Sequence, residues 1–212
     1  LHILYSLMAT AAPCSLKPRR QPRQARSQVT VDAIFEATIQ VLLALGLQRL
    51  TTIKVAERAG VSVGTLYQYY PNKQALLFGV LQRHLARVGE AVGEAAASVY
   101  GTRLAVMIPV VVKAFVQAKT ERPDEARALS VVANELDTRE LVQAAEKRGR
   151  DTLATMLETA TDVRFDNLPL VAYVLTVAMI GPTRAMIEGG APRTILRALR
   201  GQLESLCLGY LE

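Results

Sequence analysis

Thr65, Tyr67, Gln68 and Tyr69 bring hydroxyls, an amide and aromatic rings into one short stretch, VGTLYQYY, residues 63–70. No base or nucleophile accompanies them, so together they form no catalytic set. They suit a nucleic-acid groove instead. Gln can pair with adenine, a Thr methyl can meet a thymine methyl, and Tyr hydroxyls can donate to phosphate oxygens. The plainer alternative is that the tyrosines pack against neighbouring helices. It is weak for the segment as a whole, because helical spacing turns Leu66 and Tyr70 inward and leaves the other four outside. Val63 and Gly64 open this helix, and Gly64 lets it approach a phosphate backbone closely.

The flanking residues explain how such a helix is held. Upstream, Ile53, Ala56 and Ala59 share one helical face, with Lys54, Glu57 and Arg58 opposite; Thr51 or Thr52 can cap the start and Gly60 supplies the stop. Val61 can pack inward as the chain turns, and Ser62 can N-cap the second helix, which runs to about Tyr70. The turn is therefore about three residues long, the length a helix-turn-helix needs. Pro71 ends the second helix and Asn72 can cap the next. Before this unit the pattern turns helical from Val29, with Ile34, Phe35, Thr38, Ile39, Leu42 and Leu43 forming an apolar stripe that ends at Gly46. After it, a helix from about Asn72 into the 90s turns Leu76, Leu77, Val80, Leu81, Leu85 and Val88 inward and leads into the rest of the chain.

The segment AERAGVSVGTLYQYYPNKQAL, Ala56 to Leu76, resembles the DNA-binding signature of the TetR/AcrR-type transcriptional regulators. In that family a Thr-started helix leads into A-x-x-A-G-V-S-x-G-T-L-Y-x-Y-F-x-x-K-x-x-L, and the departure here is Tyr70 where Phe is usual. The resemblance covers roughly residues 28–80. It implies that Thr65, Tyr67, Gln68 and Tyr69 touch bases or phosphates and that Thr52, Ser62 and Lys73 are phosphate contacts. It does not say which base each one reads.

Charge agrees. Residues 17–73 hold nine basic against three acidic side chains, which accounts for the whole net charge of +6; from Gln74 onward sixteen balance sixteen. A basic excess confined to the DNA-binding quarter is the footprint of counterion release from a duplex. Residues 17–26, KPRRQPRQAR, read as a flexible basic arm, either a solvated tail or a phosphate or minor-groove contact through Arg23 and Arg26. The uncharged residues 1–16 have no basic stretch before them, so they do not read as a signal peptide, and Met8 is a candidate natural start.

The chain has 212 residues, half of them hydrophobic, enough to bury a sizeable core. Cys14 and Cys207 lie far apart, without metal-ligand spacing, which predicts neither a disulfide framework nor a metal site and suits a cytoplasmic protein. His2 falls in the leader, His84 reads as solvated or capping, and Glu135 and Asp137 do not share a face. No phosphate loop or nucleophile–base pair appears, so the sequence predicts no enzyme and no cofactor.

Beyond Gly101 helical periodicity and breakers predict five more helices, at about 102–119, 124–136, 138–161, 166–188 and 193–210, with no strand pattern. Thr138 and Asp166 or Asn167 are candidate caps. The run from Leu168 to Pro182 is the most apolar in the chain and falls short of the roughly 20 residues of a membrane span, so no membrane partner is expected. A helix apolar on nearly all sides must be buried, either inside the monomer or, with the stripe Ile195, Leu196, Leu199, Leu203 and Leu206, against a second copy. Periodicity leaves both open.

The resemblance favours the second copy, because members of that family dimerise through their last two helices. It further implies a small-molecule pocket inside the C-terminal part, whose filling moves the fourth helix. Met107, Val111, Phe115, Asn134, Tyr173, Val177 and Met186 are candidate lining residues, although each is more often plain core; their character suits a hydrophobic effector. The expectation is an all-α protein of about nine helices. A leader and arm, 1–26, precede a three-helix helix-turn-helix DNA-binding domain, 27–73, and a ligand-binding and dimerisation domain, 74–212. It would act as a dimeric repressor on a palindromic double-stranded DNA operator. Two other readings are a ligand-independent architectural DNA-binder, opposed by the neutral C-terminal part, and a small-molecule-binding protein without operator function, opposed by the polar second helix.

Overall fold

Helical periodicity in the sequence becomes nine α-helices among residues 25–211, which the computed structural model describes: α1 (Ala25–Arg49), α2 (Thr52–Ala59), α3 (Val63–Tyr69), α4 (Lys73–Ala97), α5 (Leu104–Thr120), α6 (Pro123–Glu135), α7 (Arg139–Glu158), α8 (Leu168–Glu188) and α9 (Arg193–Leu211). No strand occurs among the described residues. The leader, the arm up to residue 24 and the candidate contact Arg23 lie outside them.

α1 begins at Ala25, four positions before the expected Val29, so the last two residues of the predicted arm are helical. Near its other end Gly46 adopts φ 73° and ψ 169°, a left-handed φ that glycine tolerates and that breaks the helix. Ile34, Phe35, Thr38, Ile39 and Leu42 are buried as the stripe predicts, but Leu43 faces solvent. Thr38 tolerates burial because its hydroxyl donates to the Ile34 carbonyl at 2.7 Å.

Around that stripe a first core gathers Leu50, Val55, Leu66 and Tyr70 with Leu76, Leu77, Val80 and Leu81 of α4 and, from far along the chain, Leu129 and Val132 of α6. In α2 the inner face differs from the expected one. Val55 and Ala56 are buried, Ala59 is half-buried and Ile53 is exposed. The Tyr70 ring meets α4 at Gly79, where an added Cβ would come within 2.7 Å of its Cε1.

The second core joins α4, α5, α7, α8 and α9 through Val88, Met107, Val111, Phe115, Leu153, Met156, Leu175, Met179, Leu199 and Leu203 among others. α8 is not buried on all sides. Ala172, Leu175, Thr176, Met179 and Thr183 face the core, whereas Leu170, Tyr173 and Val177 are 50–53 % exposed. The predicted interface stripe of α9 divides likewise: Leu196, Leu199 and Leu203 are buried within the chain, and Ile195 and Leu206 face out, joined by Tyr210, which the stripe did not include. By length and composition alone α8 and residues Ser27–Arg49 of α1 could cross a membrane, α8 having grown to 21 residues from the shorter apolar run seen in sequence. Each buries one face in these cores.

Asn167 caps α8, accepting from the Leu170 amide at 3.2 Å. Thr138 does not cap α7; its hydroxyl turns back to donate to the Ala133 carbonyl at 2.9 Å.

Candidate nucleic-acid interface

Each end of the two short helices is fixed by a local bond. The Thr51 side chain accepts from the Lys54 amide at 3.3 Å to open α2. Gly60, at φ 68°, closes it in the left-handed conformation, with its amide bonded back into the last turn. Ser62 Oγ then accepts from the Thr65 amide at 2.9 Å to open α3, and Asn72 Oδ1 accepts from the Ala75 amide at 2.7 Å to open α4. Three turns made by four caps leave α3 little freedom to shift against α2.

Leu66 is fully buried beneath α3 and Tyr70 nearly so, which turns Gln68 and Tyr67 outward. Thr65 and Tyr69 are half-buried; Tyr69 and Val63 lie partly against the first core, so for these two the packing role is real. Gly64 is exposed, and an added Cβ would meet nothing closer than Ser62 Oγ at 3.7 Å. The fold itself therefore does not require glycine there.

The other candidates are already engaged within the chain. Thr52 is buried and its hydroxyl lies 3.0 Å from the Tyr67 hydroxyl, tying α2 to the outer face of α3. Ser62 Oγ is also 2.9 Å from Thr65 Oγ1. Lys73 Nζ donates to the Leu47 carbonyl at 2.6 Å, a cation at the C-terminal end of α1. Lys54 donates to the Arg49 carbonyl at 3.2 Å and Arg58 to Gln40 Oε1. Arg26 lies in the first turn of α1; its side chain is outside the described residues. The structure thus brings Ser62, Gly64, Thr65, Tyr67 and Gln68 to one end of the molecule, with Thr52, Val63, Tyr69 and Lys73 supporting them.

Sequence reasoning missed a second constellation. His84, expected to be solvated or capping, is 4 % exposed. Its Nδ1 lies 3.4 Å from Oε1 of Glu125, a carboxylate buried in α6. Arg87 Nη2 reaches the same oxygen at 3.1 Å, and Arg122 Nη1 lies 2.7 Å from Oε2. Arg122 also donates to Glu36 of α1 at 3.2 Å. Arg83 of α4 pairs with Asp32 of α1 and sits 4.6 Å over the Phe35 ring. A charged bridge therefore runs from α4 through α6 to α1, beneath the helix-turn-helix. Burial pushes the Glu125 carboxyl up, but the His84 hydrogen bond and the charges of Arg122 and Arg87 together hold it below the usual range. Burial pulls the His84 pKa down, and the charges of Lys119 and Arg87 add to the fall against the opposing pull of Glu125.

His84 also lines a cavity of about 930 Å³ enclosed by α4, α5, α6, α7 and α8. Of the candidate lining residues, Phe115 and Asn134 reach it. Met107 and Val111 continue the Phe115 stripe of α5 beyond the cavity and are spent in the second core. Tyr173 and Val177 stand on the outer face of α8, Tyr173 with Arg150 5.6 Å from its ring centroid. Met186 packs beside Ile187 and Leu196. The cavity wall is also more polar than those candidates suggest, with Lys119, Glu146, Thr152 and Arg184 among its members.

Residues 34–80 match the bacterial regulatory proteins of the tetR family, and residues 104–211 match the Tetracyclin repressor-like, C-terminal domain. Among curated proteins, the transcriptional repressor KstR of Mycolicibacterium smegmatis is 42 % identical over 55 residues, 26 % of this chain and 27 % of that protein. An uncharacterised helix-turn-helix regulator of Haemophilus influenzae is 40 % identical over 55 residues, 26 % of this chain and 29 % of that protein. The matched segment thus spans between a quarter and a third of these relatives. Solved structures extend the likeness of fold. A TetR-family regulator from Mesorhizobium loti superposes with a TM-score of 0.72 at 16 % identity, over 89 % of this chain and 98 % of that one. SmeT, the repressor of the Stenotrophomonas maltophilia multidrug efflux pump SmeDEF, does so at 0.66 and 18 % identity, over 86 % and 91 %.

Proposed function

The chain belongs to the TetR family of DNA-binding, non-enzymatic transcription regulators, and from that premise we propose that it is a dimeric repressor of a palindromic operator, released by a small effector. The observation that carries the reading is α3. Leu66 and Tyr70 pin it from behind, four local caps fix its frame, and Thr65, Tyr67 and Gln68 stand on its outer side. Hydroxyl and amide groups so held can enter a major groove without reordering. Residues 27–73 serve as the reading unit, with the basic arm before them and residues 74–212 pairing and sensing.

Pairing rests on the outward apolar row of α8 and α9: Leu170, Tyr173, Val177, Ile195, Leu206 and Tyr210, each 45–53 % exposed. Contiguous apolar surface of this kind is characteristic of an interface between copies. Two copies would set two recognition helices about 34 Å apart, one turn of the duplex. Regulation of this kind would take place in the cytoplasm, where the DNA is.

Sequencing the genomic fragments that the full protein captures tests the reading directly. The expected product is an inverted repeat bound by a dimer, with light scattering on the free protein also reporting a dimer. Recovery of unrelated fragments, or a strict monomer at micromolar concentration, would sink it. Log affinity against log salt should fall steeply.

A further inference from the structure

The walls of the central cavity divide by chemistry. Leu81, Leu85, Val88, Phe115, Met179 and Ile180 make an apolar side. Charged side chains also line the cavity, Lys119, Arg139, Arg148 and Arg184 together with Glu90, Asp137, Glu146 and Glu188. Lys119 of α5 is partly buried, and Arg184 of α8 is near enough for its charge to repel it. Arg184 has partners, Glu188 at 2.8 Å and Asn134 Oδ1 at 3.3 Å. Lys119 makes no hydrogen bond and no ion pair with any described residue. Desolvation, and then Arg184, lower its pKa, with Glu146 of α7 opposing them. A desolvated ammonium repelled by a neighbour and lacking a direct counter-ion is stabilised by an arriving anion. A cavity of about 930 Å³ has room for that anion to carry an organic body, since small-molecule sites run from roughly 300 to 1,000 Å³.

We propose that this cavity binds an anionic amphiphile, a carboxylate with an apolar tail, with the carboxylate seated on Lys119 and the tail along the apolar wall. The inference rests on the effector-responsive reading above and names the chemistry of its ligand. Glu146 offsets part of the Lys119 charge without forming an ion pair with it. A cationic ligand would have to use Glu146 as its anchor beside a repelling Lys119 and Arg184, which is why the anion is favoured.

The test compares three twelve-carbon probes, dodecanoate, dodecan-1-ol and dodecyltrimethylammonium, titrated calorimetrically into the full protein below their micelle concentrations. Dodecanoate should bind at least tenfold more tightly than the alcohol. Lys119→Met should reduce it to the alcohol's affinity, Lys119→Arg should keep most of it, and Glu146→Gln should tighten it. Equal affinity for carboxylate and alcohol, a preference for the ammonium, no dodecanoate binding, or wild-type affinity in Lys119→Met would each overturn the proposal. The three-probe comparison on the unaltered protein decides the ligand class even where Lys119→Met fails to fold. Operator binding by the same samples separates the two levels. A protein that holds its operator but ignores dodecanoate loses only the ligand class, whereas one that binds dodecanoate without any change in operator affinity refutes the effector reading instead.

Discussion

The helix-turn-helix and the region around the cavity are built on opposite plans. Ser62 to Thr65, Asn72 to Ala75 and Thr51 to Lys54 are bonds across three positions, and they set the starts of α3, α4 and α2. In the charged bridge beside the cavity the bonds cross the chain: Arg87 to Glu125 spans 38 positions and Arg122 to Glu36 spans 86. The helix-turn-helix is held by local bonds and the bridge beside the cavity by long-range ones. A change in the first should therefore act on DNA before it acts on the fold, and a change in the second should act on the fold before it acts on DNA.

The largest expected effect tests the global side. Glu125→Ala strips the bridge of its only buried carboxylate and leaves His84 and the cations around it unmatched. It should cost about 3 kcal/mol of stability in denaturant titration, with affinity for captured operator restored once the folded fraction is accounted for. Gln68→Ala tests the local side. It should weaken operator binding about tenfold, roughly 1.4 kcal/mol, with an unchanged melting temperature; a comparable loss on random DNA would show that Gln68 reads no base.

Ser62→Ala removes one cap and should cost about 1 kcal/mol, felt as weaker operator binding. If it destabilised the whole protein as much as Glu125→Ala does, the contrast between the two plans would be wrong. The smallest effect concerns acid. Because the folded His84 pKa lies below its ordinary value, the unfolded chain takes up the proton first as pH falls through about 6.5. Stability should then decline as pH falls below about 6.5, at a slope of at most about 1.4 kcal/mol per pH unit. His84→Gln should flatten that part of the profile, and an unchanged slope would remove His84 as its source.

The same difference in plan explains what could be read from the sequence. Gly60, Ser62 and Asn72 announce themselves because a cap and the amide it serves are three residues apart. Periodicity fixed the number and rough limits of the helices but not always the inward face: Val55 took the place given to Ile53, and Leu43 turned out where Gly46 breaks α1. His84 stands at inward spacing with Leu77, Val80, Leu81 and Val88 in α4, so its burial was legible. Its partner Glu125 was not, since nothing in the α6 sequence points to α4. The cavity takes residues from five helices, and an apolar stripe such as Met107, Val111 and Phe115 does not show where core ends and cavity begins. The outward row on α8 was hidden by a composition that read as apolar on nearly all sides.

The contact between the Thr52 and Tyr67 hydroxyls also bears on the kinetics of recognition. A tyrosine free to sample its rotamers loses that freedom when it docks, at roughly 0.5–1.5 kcal/mol for an immobilised side chain. Here the ring is oriented during folding, with Thr52 held beneath it in the buried edge of α2. Encounter with a duplex then exchanges a hydroxyl partner instead of arresting a mobile ring. Thr52→Val should therefore leave the protein folded and slow its association with the operator more than it hastens release.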